Sequence, residues 1–122
     1  MSITSYQDLK VWQMSMQLAE DCYKATQGFP REEIFGMTSQ IRRASAAIPA
    51  NIAEGWGRSG TREYMQFLRI AQGSLKELET HLILSQRVGL LEAGQATPLL
   101  TQCNELGKMI RSLLGSLKRK LK

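Results

Sequence analysis

Apolar residues recur along this chain every three to four positions in four successive stretches, the period of helices that each bury one face. In the first stretch Leu9, Trp12, Met16, Ala19 and Tyr23 share a face, which predicts a core-facing stripe; Ser5 and Asp8 open it with the spacing of a capping box. Gly28 predicts a left-handed helix stop, and Pro30 prevents continuation. The second stripe runs Met37, Ile41, Ala44, Ile48, Ile52, after a first approach through Glu32 and Glu33 that Gly36 can interrupt. Pro49 lies inside it, so the expectation is one kinked helix rather than two.

The third stretch is the most regular, with Tyr64, Phe67, Leu68, Ala71, Leu75, Leu78 and Leu82 in a heptad-like rhythm that Gly89 ends. The last carries Leu99, Cys103, Leu106, Ile110, Leu113, Leu117 and Leu121. Its start is open between a Thr97–Pro98 cap and a point near Glu92. No segment alternates in the manner of a strand. Four amphipathic helices of roughly 30 to 40 Å, joined by short loops, predict an all-α, antiparallel up-down-up-down four-helix bundle with the second helix kinked at Pro49.

At 122 residues the chain has the size of one domain, here residues 1–122. Hydrophobic residues form 43% and charged residues 22%, an ordinary globular balance. No apolar run approaches a membrane span, and Met1 to Lys10 lacks the layout of a secretory signal. The expectation is therefore a cytoplasmic protein with no membrane partner. Cys22 and Cys103, in different helices, predict buried free thiols.

The net charge of +5 arises from Arg62 onward, and the chain closes on Lys118, Arg119, Lys120 and Lys122. Such a cluster either attracts polyanions by counterion release or is a solvated helix end whose cations complement the C-terminal dipole.

Gly55 to Gly60 spells GxGxxG, but a cofactor loop needs a preceding strand, and this hexad falls between two helical patterns. It predicts a turn whose glycines adopt positive backbone angles, with Ser59 or Thr61 capping the next helix. A di-metal centre of the bundle type needs Glu-x-x-His steps from two helices. The only histidine, His81, follows Glu77 by four residues with Leu78 at the required carboxylate position, so no metal or other cofactor is expected. The same lone histidine leaves no nucleophile with a base, which argues against catalysis.

The two central helices also carry a second, thin face. On the third helix Ile70, Gly73 and Glu77 stand opposite the core stripe, and on the second Ala47, Ala50 and Glu54 line up away from it, beside Arg43. Small residues and fixed charges suit contact with another helix or subunit; a mixed solvent face is the other reading.

Several segments resemble those of the 23S rRNA-intervening-sequence proteins: Tyr6, Leu9, Val11 and Trp12; Phe29-Pro30; Gly36 to Arg43; Ile48 to Gly55; Phe67 to Ala71; Gly73 to Leu75; and Glu77 to Thr80. Their order and spacing extend the likeness over nearly the whole chain. The resemblance implies a four-helix bundle that assembles as a ring-shaped homopentamer, with no established enzymatic activity; related bundle proteins accompany retroelement reverse transcriptases and bind nucleic acid. It adds Arg42, Arg43, Asn51, Glu54, Arg69 and Glu77 as candidate positions. Gly94 and Pro98 depart from the family's usual acidic opening of the last helix.

Taken together, the sequence predicts a non-catalytic homo-oligomer that binds RNA or DNA through Arg42, Arg43, Arg58, Arg62, Arg69, Lys118, Arg119 and Lys120, with Ala47, Ala50, Glu54, Ile70, Gly73 and Glu77 at subunit contacts. With most aromatics on core stripes, binding is expected to be electrostatic rather than by base stacking. The competing function is an adaptor for a protein partner.

Overall fold

The structure, a computed structural model, describes residues 3–121. Two single 3-10 turns, Tyr6–Asp8 and Arg31–Glu33, punctuate four helices: α1 (Lys10–Thr26), α2 (Met37–Trp56), α3 (Thr61–Arg87) and α4 (Ala93–Lys120). No strand occurs among the described residues. Each helix packs on its neighbour in sequence, α1 closes the circuit against α4, and the α2–α3 seam is the most extensive. The product is an all-α four-helix bundle around one core.

The stripes on α2, α3 and α4 face that core as predicted, except that Leu121 falls just past the end of α4 and is 36% exposed. Ile41, Ile48, Ile52, Leu68, Leu75, Leu78, Leu82, Leu106 and Ile110 are all fully buried. α2 runs uninterrupted through the buried Pro49.

α1 corrects the sequence reading. Of its predicted stripe Ala19 is buried and Leu9 and Trp12 pack half-buried against the core, while Met16 and Tyr23 are 37% and 43% exposed. The face that enters the core is Val11, Ser15, Leu18, Cys22 and Thr26. Burying two hydroxyls there is inexpensive because the helix satisfies them itself. Ser15 donates to the Trp12 carbonyl at 2.8 Å, and Thr26 to the Cys22 carbonyl at 2.9 Å.

The helix ends differ from expectation in instructive ways. The Ser5–Asp8 capping box exists, but it closes the first 3-10 turn; Leu9 is extended, and α1 starts only at Lys10. Gly28 is not left-handed: among the described residues the only positive φ belongs to Gly89, at 83°. There the Leu90 N–H reaches the Ser85 carbonyl at 2.8 Å and the Gly89 N–H the Gln86 carbonyl at 3.2 Å, the two bonds of a Schellman stop. α4 begins with Glu92 as N-cap in a reciprocal box with Gln95, so Thr97 and Pro98 lie beyond its first turn rather than at its cap.

The GxGxxG segment is a turn between helices, but not for the expected reason. None of its glycines has positive φ, and α3 is capped by Gly60 without any side-chain bond from Ser59 or Thr61. Gly55 instead sits buried in the last turn of α2 where α3 comes closest: a Cβ there would lie 2.7 Å from the Phe67 Cβ. Gly73 is the opposite case, exposed in mid-helix with nothing within 4 Å of an added Cβ. Gly73→Ala is therefore expected to raise the unfolding free energy by about 1 kcal/mol, the ordinary helix-interior gain, measured by urea denaturation.

Candidate functional site

α3 presents Arg62 and Arg69 seven residues apart on one face, with the buried Met65 between them. The end of α4 brings Lys118, and the Leu121 that follows it, against the same place, enclosing a crevice of about 230 Å³. All three cations are exposed, and none pairs with a carboxylate among the described residues. Arg119 and Lys120 follow in the same final turn, and the α3 amino terminus, with no side-chain cap, adds its positive dipole end. Three unpaired cations thus stand over a small apolar floor.

The other predicted cations have structural partners or lie elsewhere. Arg42 donates to the Thr26 hydroxyl at 2.9 Å and to the Tyr23 carbonyl at 3.4 Å, and its guanidinium stands 4.7 Å above the Tyr23 ring. It clamps the carboxyl end of α1 to α2. Arg58 pairs with Glu54 at 2.6 Å and lies 5.1 Å from the Phe67 ring centre. Arg43 is exposed near the start of α2, beside Tyr23 and Ile34, and takes no part in the crevice.

A second feature lies between α1 and α2. The residues that the sequence assigned to the core of α1 form one wall of an open groove of about 650 Å³: Trp12, Met16 and Tyr23 face Pro49, Ala50 and Ala53. Tyr6 braces that wall edge-on to Trp12, with ring centres 5.3 Å apart. The groove is a groove because α2 offers only small side chains and a proline there. Glu20 and Lys24 supply its polar rim.

The proposed contact residues divide between sides of the bundle. Ala50 belongs to this groove, whereas Gly73 lines a crevice with Gly107 and Arg111 between α3 and α4. Ala47 is half-buried, its carbonyl accepting from Asn51 at 2.8 Å. Ile70 is 47% exposed, and Glu77 stands 4.0 Å from His81 Nε2. Sequence reasoning missed Phe35, which is 97% exposed in the turn before α2. An aromatic between Ile34 and Gly36, outside any stripe, was the available signal.

No cluster of three metal-ligating side chains occurs among the described residues, and no helix there is long and apolar enough to cross a membrane. Cys22 and Cys103 are free and buried. Burial pushes both thiols up to about 12, helped by Asp21 at Cys22 and by Cys22 and Glu79 at Cys103.

Residues 7–112 match the family model described as 23S rRNA-intervening sequence protein. No curated protein matches the sequence. Among solved structures, the chain is similar to a protein with unknown function from the S23 ribosomal protein family of Bacteroides thetaiotaomicron VPI-5482: 25% identical, TM-score 0.77, covering 85% of this chain and 97% of that one.

Proposed function

The chain belongs to the 23S rRNA-intervening sequence protein family, and from that premise we propose that it is a non-catalytic, self-assembling helical bundle of the cytoplasm that binds RNA or other nucleic acid through phosphate contacts. The observation that carries this reading is the convergence of Arg62, Arg69 and Lys118 on one crevice without a neutralising carboxylate. Arg119 and Lys120 extend the basic track along the end of α4. Recognition of this kind reads backbone charge and not sequence, and it weakens steeply with salt as counterions are released. Assembly into a ring-like homo-oligomer, a pentamer by family resemblance, repeats the crevice around the ring and raises avidity through linked contacts.

The test is anisotropy of a labelled single-stranded RNA titrated from 50 to 200 mM KCl. Each phosphate contact on a single strand contributes a slope of about −0.7 in log K against log salt. Arg62→Glu/Arg69→Glu/Lys118→Glu is expected to flatten the wild-type slope by about 2. An unchanged slope, or a wild-type protein that binds no RNA at the lowest salt, would overturn the reading.

The groove favours a second reading, an adaptor that takes an apolar protein segment. Such an adaptor would hold its partner across the same salt range and be indifferent to the three charge reversals.

A further inference from the structure

We propose that the α1–α2 groove is filled by the Ile34–Phe35 turn of a second copy of this chain. The inference rests on the self-assembly reading and specifies the surfaces that carry it. Phe35 is 97% and Ile34 49% exposed, so the turn projects two large apolar side chains that its own bundle leaves in water. The turn is well fixed: the Gly36 N–H bonds to the Glu33 carbonyl at 2.9 Å, and Glu33 Oε1 accepts from the Met37 N–H at 3.0 Å. A rigid exposed aromatic loses little freedom on docking and is the residue type that anchors interfaces.

The groove offers the matching half. Trp12, Met16 and Tyr23 against Pro49, Ala50 and Ala53 give an aromatic, polarisable wall facing a shallow one, with room for a phenyl ring in about 650 Å³. Charges agree as well. Glu20 and Lys24 stand at the groove, and Arg31 and Glu32 precede the apolar turn, so each rim charge has an opposite to meet. Knob and groove adjoin on one chain, with Tyr23 and Ala46 lining both the groove and the hollow beside Ile34, but they are built from different residues, so one copy can donate to a neighbour while accepting from another. That is a heterologous contact, the kind that closes into a ring when its rotation permits.

The test uses two full-length variants at exposed positions, Phe35→Ser and Ala50→Glu, each checked for wild-type helicity by circular dichroism and then sized by sedimentation velocity. Each variant alone is expected to sediment as a monomer. An equimolar mixture holds one intact groove, on Phe35→Ser, and one intact knob, on Ala50→Glu, and is expected to form one-to-one dimers. Wild-type mass in either variant, or a mixture that stays monomeric, overturns the assignment while leaving self-assembly standing. A monomeric wild-type protein sinks the self-assembly reading itself, and this inference with it.

Discussion

Gly55→Val is expected to lower the unfolding free energy by about 3 kcal/mol, at the upper end of overpacking penalties. A Cβ at Gly55 would lie 2.7 Å from the Phe67 Cβ, 3.1 Å from the Tyr64 Cδ1 and 3.2 Å from the Tyr64 carbonyl oxygen. Non-bonded carbons prefer about 3.5–4.0 Å, so the nearest contact is repulsive. Rotating Phe67 gives no relief, because its Cβ is carried by the α3 backbone. The helices must move apart at their most extensive seam, taking with them the Arg58–Phe67 contact. Gly55→Ala should lose less, since alanine recovers about 1 kcal/mol of helix propensity. Its sign is opposite to that expected for Gly73→Ala. Urea denaturation followed by circular dichroism compares the three variants, and an unchanged midpoint for Gly55→Val would mean that α2 and α3 do not approach this closely.

That contrast shows what the sequence makes legible and what it hides. A glycine's presence can be read, but its reason depends on what stands opposite. Gly28 and Gly89 both follow helical stripes, yet only Gly89 takes positive φ, while Gly55 is small because α3 leaves no room. Spacing served well on α2, α3 and α4, where the aliphatic residues at three- and four-residue intervals are the core residues. It failed on α1 because that helix has two apolar faces, and bulk pointed to the wrong one. Trp12, Met16 and Tyr23 outweigh Ser15, Cys22 and Thr26 in hydrophobic volume, but the bundle buries the smaller set with Val11 and Leu18.

The candidate sites divide in the same way. Arg62 and Arg69 share a face by simple helical arithmetic, so half of the crevice was legible. Lys118 reaches it from the far end of the chain, a juxtaposition only the tertiary packing supplies. Arg42 and Arg58 were equally eligible by type, but Thr26 and Tyr23 hold one and Glu54 and Phe67 surround the other. The groove was hidden by the error on α1: residues counted as core could not also be counted as surface.

Raising the pH from 8 to 10 is expected to cost the fold about 3 kcal/mol through Cys22 and Cys103 together. Both thiols are fully buried, and burial raises each from an ordinary value of 9.0 to about 12. In the unfolded chain they ionise through pH 9, whereas in the bundle they stay protonated. The folded state thus binds more protons than the unfolded state between those values, and stability falls as pH rises across that window, by at most about 1.4 kcal/mol per unit for each thiol. Below pH 8 both states hold their protons and the contribution is flat. Denaturant midpoints measured from pH 7 to 10 should therefore decline more steeply for the wild-type protein than for Cys22→Ala/Cys103→Ala, whatever the absolute stability of that variant. Iodoacetamide provides the kinetic counterpart, labelling the thiols only as fast as the chain unfolds. Parallel pH slopes in the two proteins would assign the alkaline loss to other groups, and rapid labelling of the native bundle would show that solvent reaches the interior where these thiols lie.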